Sequence, residues 1–136
     1  MGPVNWLAVC LAALAALGLA VLWYGPLFGR AKLEEVGPGG MAARTSTART
    51  AIFTIVLLLL TSSMMGHMFA RVGAETLAVK PWLYFMMSGG IALFFVLPAV
   101  TLNYMHQRVS TRLGMIDGGY WLVAYLTMGL VFWIMG

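Results

Sequence analysis

The sequence predicts an all-α integral membrane protein, a four-helix bundle with antiparallel neighbours. Three observations predict it. Four apolar stretches, at about residues 4–24, 51–70, 82–105 and 120–136, contain no charged side chain. Each has the length of helix needed to cross a hydrocarbon core about 30 Å thick. Hydrophobic residues make up 62% of the chain and charged residues 9%, against about 45–50% and about 25% in soluble domains. In lipid, every backbone N–H and C=O must be bonded within the protein, so such stretches must be helical. Residues 1–136 therefore form one transmembrane domain, with helices at about 4–25, 49–72, 81–105 and 118–136.

The first helix is expected to stop at Gly25-Pro26, because proline breaks the hydrogen-bond ladder. The lone Cys10 supports neither an internal disulfide nor a metal motif. Leu7-Ala8-Val9-Cys10 resembles a lipoprotein cleavage box only faintly: no basic residue precedes it and the apolar run continues beyond it, so a retained helix is expected. Residues 27–36 mix apolar and charged side chains, which suits a segment lying in the membrane interface. Gly37-Pro38-Gly39-Gly40 reads as a break. It lacks the Lys-Ser/Thr of a phosphate-binding loop.

Thr45, Ser46 and Thr47 offer caps for the second helix. A short loop with Glu75 and Lys80 leads to Pro81, suited to the first turn of the third helix. Ser88-Gly89-Gly90 and Pro98 predict a kink there. Asp117 reads as the N-cap of the fourth helix.

Orientation follows from the basic residues. The first and third connections and their flanks hold Arg30, Lys32, Arg44, Arg49, Arg108 and Arg112; the second holds Arg71 and Lys80. The richer side is expected in the cytoplasm, leaving both termini in the periplasm. Aromatic belts agree. Trp6, Trp82, Tyr84 and Trp133 mark one interface; Trp23, Tyr24, Tyr104, Tyr120 and Trp121 mark the other. Tyr125 alone among the Trp and Tyr residues falls between them. The net charge of +4 fits this loop pattern and does not point to nucleic acid.

Asn5-Trp6-Leu7-Ala8-Val9, then Trp23-Tyr24-Gly25-Pro26-Leu27-Phe28-Gly29, then Ile116-Asp117-Gly118-Gly119-Tyr120 carry a resemblance. The chain resembles a family of small bacterial membrane proteins known only as a domain of unknown function. That resemblance implies a four-helix membrane protein and no particular activity; the bacterial inner membrane is its expected setting.

Two patterns could carry function. Ala8, Ala12, Ala16 and Ala20 lie four apart, and Ala13 and Gly18 broaden their surface. Small residues at this spacing let helix backbones approach closely in lipid. The stripe packs either inside the chain's own bundle or against another chain. The second pattern is Met64, His67 and Met68, which share one helical face. Thioether and imidazole together suit Cu(I). The competing reading is gap-filling methionines and a histidine bonded to a backbone carbonyl.

Other chemistry finds little material. A haem held by His67 and His106 fails, since those residues lie at opposite membrane faces, about 37 Å apart along a helix rising 1.5 Å per residue. Ser62 and Ser63 have no triad partners at their depth. Ion-coupled transport calls for an ionisable group inside the membrane, and His67 is the sole expected candidate. The leading expectation is a non-catalytic accessory or assembly subunit, without cofactor or bound metal, packing against lipids, other membrane proteins or itself. A small homo-oligomeric channel or transporter is the alternative. A metal or pigment carrier using His67 and nearby methionines is the third.

Overall fold

The computed structural model describes residues 3–31 and 47–135. They are all-α, with no strand among them. The expected break at Gly37–Gly40 and the caps Thr45 and Ser46 lie outside the described residues, as does most of the expected interfacial segment.

Four spans cross the bundle: α1 (Trp6–Leu27), α2 (Thr47–Val72), α4 (Trp82–His106) and α5 (Thr111–Met135). A short helix, α3 (Ala74–Val79), joins α2 to α4. All four spans are apolar enough and long enough to cross a bilayer.

Asn5 starts α1: its side-chain oxygen accepts from the Ala8 backbone N–H at 3.1 Å. Its Nδ2 donates to the Met135 carbonyl at 3.3 Å, tying the first helix to the end of the last. The expected stop at Gly25-Pro26 is not where α1 ends. Trp23–Leu27 form a π turn that carries Pro26 within it. The Phe28 N–H donates to the Trp23 carbonyl, five residues back, at 2.7 Å. Widening the turn by one residue absorbs the proline's missing donor without ending the helix.

The second connection is also more ordered than a loop. Gly73, at φ +96°, takes a backbone conformation that side chains disfavour, and α3 begins directly after it. In α4 the irregularity is a second π turn, Ala92–Val96, lying between Gly90 and Pro98. The N–H of Leu97 donates to the carbonyl of Ala92, again five back.

The fourth span requires a correction. It starts at Thr111, not at 118, and Asp117 is not its cap. Ser110 caps it instead, its hydroxyl oxygen accepting from the Leu113 N–H at 3.1 Å. Asp117 lies six residues inside the helix, about 9 Å from its start.

α1 is central. It packs against both α2 and α5, and α5 packs in turn against α4. The alanine stripe makes this possible. Ala8, Ala12 and Ala16 have no exposed surface, and Ala20 is half-buried. With only methyls between them, the neighbours reach the backbone of α1. The Ser62 hydroxyl donates to the Val9 carbonyl at 2.7 Å, and Tyr120 Oη donates to the Ala16 carbonyl at 3.0 Å. So these alanines face the chain's own bundle. Gly18 does not extend their surface: a Cβ there would meet nothing within 4 Å.

α4 and α5 approach through Gly129. A Cβ there would stand 2.9 Å from the Tyr84 carbonyl oxygen and run into Ser88. Ser88 is fully buried and returns its hydroxyl to the Tyr84 carbonyl at 2.7 Å. α2 and α4 do not pack along their lengths. They meet at Phe69 and Tyr84, with ring centroids 4.8 Å apart.

Candidate functional site

The polar centre of the bundle is Asp117. It is 4% exposed, inside a span, and held by tyrosines from two other helical segments. Tyr24 Oη, from the π turn of α1, donates to Oδ1 at 2.6 Å. Tyr104 Oη, near the end of α4, donates to Oδ2. A tyrosine on each carboxylate oxygen makes both bonds charge-assisted, which is the stronger class of hydrogen bond. The π turn matters here because it sets the direction in which Tyr24 projects from α1.

The surroundings close the site with aromatic rings. Trp23 Nε1 donates to the Ile116 carbonyl at 3.0 Å. The Tyr24 and Tyr120 rings lie 5.4 Å apart, and the Tyr120 and Trp121 rings 5.1 Å. The glycines after Asp117 admit these neighbours. A Cβ on Gly118 would stand 3.0 Å from a Leu97 methyl, and one on Gly119 would stand 3.1 Å from the Trp23 ring. The Trp-Tyr-Gly-Pro and Ile-Asp-Gly-Gly-Tyr segments, 93 residues apart in the chain at the Tyr24–Asp117 bond, are thus two halves of one joint.

The expectation that His67 is the sole ionisable group away from the ends of the spans is also corrected, since Asp117 lies six residues inside α5 and is buried. A signal was present. Tyr24, Tyr104, Tyr120, Trp23 and Trp121 fall in one predicted belt, and Asp117 lies at the same level beside two glycines.

The soft-ligand candidates stand near one another on α2 in different settings. His67 is exposed on α2, and its Nδ1 lies 2.8 Å from the Ser63 carbonyl, to which it can only donate. Its ring stands edge-on to Trp6, with centroids 5.6 Å apart. Met64 and Met68 line a cavity together with Ile91 and Tyr125. Cys10 is exposed on α1.

That cavity lies in a seam between α2 and α4, floored by Tyr125 of α5. It measures about 340 Å³ and opens at mid-span between Met64, Met65, Met68, Ile91 and Tyr125. A separate cavity, about 420 Å³, lies at the end carrying the chain termini, on another face of α2, where Pro3, Asn5 and Gly66 line it. Phe69, Tyr84, Phe132 and Trp133 wall it, and α3 contributes Ala74, Leu77 and Ala78. Among the described residues, no charged side chain lines either cavity.

Two features therefore stand out in this bundle: a sealed aspartate–tyrosine joint at one end and an open seam between α2 and α4 at mid-span. No curated protein and no solved structure matches the chain. The family model described as "Protein of unknown function (DUF1761)" matches residues 7–133, a stretch that includes every residue of the joint, and the chain belongs to that family.

Proposed function

We propose that this membrane protein is non-catalytic and acts as an accessory or assembly subunit, packing against other constituents of the bilayer through the seam between α2 and α4. The observation that carries the reading is the seam itself. Three of the four helix neighbourhoods are closed by packing, and the fourth, α2 beside α4, is left with a cavity of about 340 Å³. In a bilayer, helices associate by close packing and hydrogen bonds because lipid tails are as apolar as the side chains. An unfilled flank is where a further component gains most from docking.

A photo-crosslinking amino acid at Met64, on the seam, tests this in native membranes. It should yield discrete adducts. The same group at Leu14, 61% exposed on α1, should not. Identical adduct patterns at the two positions would sink the proposal.

A second reading, a small homo-oligomeric channel or transporter, draws on one observation: Asp117 is a carboxylate inside a span, and such groups mark ion paths in many membrane proteins. Proton flux into vesicles carrying the protein, lost on Asp117→Asn, would favour it over the first. The carrier reading rests on Met64, His67 and Met68 alone.

The proposed setting is the bacterial inner membrane with both termini in the periplasm, on the strength of the basic connections at the Tyr24 end. In a Cys10→Ser background, a cysteine at Ala74 should react with an impermeant maleimide added to spheroplasts, and one at Gln107 should not. The reverse pattern would invert the topology.

A further inference from the structure

We infer that the cavity of about 420 Å³ at the end carrying the chain termini binds an uncharged, flat ring compound bearing carbonyl oxygens, a lipid-soluble quinone in chemical class. The inference is independent of the seam, which lies on another face of α2.

The cavity is built by the whole bundle. Asn5 at the head of α1, Phe69 of α2, Leu77 of α3, Tyr84 of α4 and Phe132 of α5 all line it. The last four are each buried, so the walls belong to the core. The rings hold one another in place: Phe69 lies 4.8 Å from Tyr84 and 5.2 Å from Phe132, centroid to centroid. Ala70, Ala74 and Ala78, four apart in the chain, leave room beside them. At about 30 Å³ per liquid water, the space equals about fourteen waters, enough for a substituted ring of about a dozen heavy atoms.

The polar groups select the guest. Tyr84 is 7% exposed, and its hydroxyl has no hydrogen-bond partner among the described residues. No fully buried side-chain nitrogen or oxygen among those residues lacks a partner. The Tyr84 hydroxyl therefore meets open space, and the space that Tyr84 lines is this cavity. Asn5 adds a donor: its oxygen is taken by the Ala8 N–H and one amide hydrogen by the Met135 carbonyl, which leaves the other. Trp133, on the wall, brings an indole N–H that has no partner among the described residues and can only donate. Three donors call for a guest that accepts. With no charged side chain on the walls, a phosphate or an ammonium group would lose its hydration without a counter-ion. Carbonyl oxygens on a flat apolar ring meet both conditions. Trp6, Trp82 and Trp133 mark this level as headgroup depth, where rings with a polar edge settle.

The test compares duroquinone with durene, the same methylated ring without oxygens. Each is radiolabelled and equilibrated with nanodiscs carrying the full chain, and uptake by empty nanodiscs is subtracted. Saturable uptake of one duroquinone per chain is expected, at least about fivefold tighter than durene. Tyr84→Phe keeps the ring against Phe69 and should weaken duroquinone about fivefold, the worth of one neutral hydrogen bond, without altering durene. Ala78→Trp, on the exposed side of α3, should fill the cavity and abolish uptake of both.

Absence of saturable uptake leaves the cavity to water and overturns the inference. So does equal binding of the two compounds, unchanged duroquinone binding in Tyr84→Phe, or undiminished binding in a folded Ala78→Trp. Each of these outcomes is read apart from crosslinking at Met64, so the accessory-subunit reading stands or falls separately.

Discussion

Removing the Asp117 carboxylate should cost more stability than any other single side-chain change at its end of the bundle. The reasoning starts from the two tyrosine bonds, one on each oxygen, in a site that is 4% exposed. Hydrogen bonds to charged groups contribute about 1.5–3 kcal/mol each, and a buried donor left without a partner costs about 1–3 kcal/mol. Asp117→Ala loses both bonds and orphans two hydroxyls. Membrane-embedded chains recover part of such losses, because the unfolded state in lipid finds other partners, and neutral pairs there average only about 0.6 kcal/mol. Taking the lower end for each bond gives a cost of about 3 kcal/mol. Asp117→Asn keeps one acceptor, and a tyrosine hydroxyl can turn to accept from its amide, so about 1–2 kcal/mol is expected. Tyr24→Phe and Tyr104→Phe should each cost about 1.5–2 kcal/mol. Combined, they should deviate from additivity, because they share one carboxylate. Denaturation by increasing mole fraction of a harsh detergent, followed by tryptophan fluorescence, measures all four. Trp23 and Trp121 stand in the joint and report it directly. If Asp117→Ala is as stable as the parent, the joint does not hold the bundle, and the carboxylate is better assigned to ion movement.

Other outcomes follow from packing. Ala12→Leu and Ala16→Leu each push three carbons into positions with no exposed surface, and should destabilise the monomer itself by about 1–3 kcal/mol in the same unfolding assay; Leu14→Ala, on the exposed face, should change little. Gly129→Ala should be at least as damaging, since its Cβ meets the Tyr84 carbonyl oxygen at 2.9 Å, which is backbone and cannot turn aside. Asn5→Ala removes an N-cap and the tie to Met135, with an expected loss of about 1 kcal/mol and faster hydrogen exchange in the first turn of α1. Purified protein is expected to carry no stoichiometric copper by elemental analysis; one copper per chain, lost on His67→Ala, would restore the carrier reading.

The spans were legible because a bilayer imposes a coarse requirement on the chain, about twenty apolar residues per crossing, that leaves a strong trace in the sequence. Their ends were less legible. Gly25-Pro26 reads as a stop, yet a π turn carries the helix past it, and nothing local in the sequence distinguishes a terminating proline from an absorbed one. Asp117 departs from its expected place for a related reason. Cap preference is a local rule, and Asp before a long apolar run satisfies it. The helix begins earlier, at Thr111, because Ser110 satisfies the same rule and the residues between can bury their faces on Tyr104 and Leu97. The aspartate's real partners come from positions 24 and 104. The alanine stripe is a case between these. Spacing identifies a contact face, but whether the opposite surface belongs to the same chain depends on how the helices are arranged, and that is a property of the whole bundle.

The seam has the same origin. α1 carries the small residues, so α2 and α5 both press against it, and α4 can then reach only α5 through Gly129. To close the ring of four helices, α2 and α4 would have to approach each other as closely as the other pairs do, which small facing residues would allow. α2 and α4 instead present Met64, Met65, Met68 and Ile91 along the seam, side chains too long to let backbones touch. The open flank is thus a consequence of where the alanines and glycines are placed, and the joint at Asp117 fixes it. Tyr24 on α1 and Tyr104 on α4 are both bound to α5, which prevents α4 from swinging across to cover α2. Cutting the joint should therefore alter the seam at a distance: Tyr104→Phe should change crosslinking from Met64, although Tyr104 lines neither cavity. An unchanged adduct pattern would mean that the packing at Gly129 holds α4 unaided.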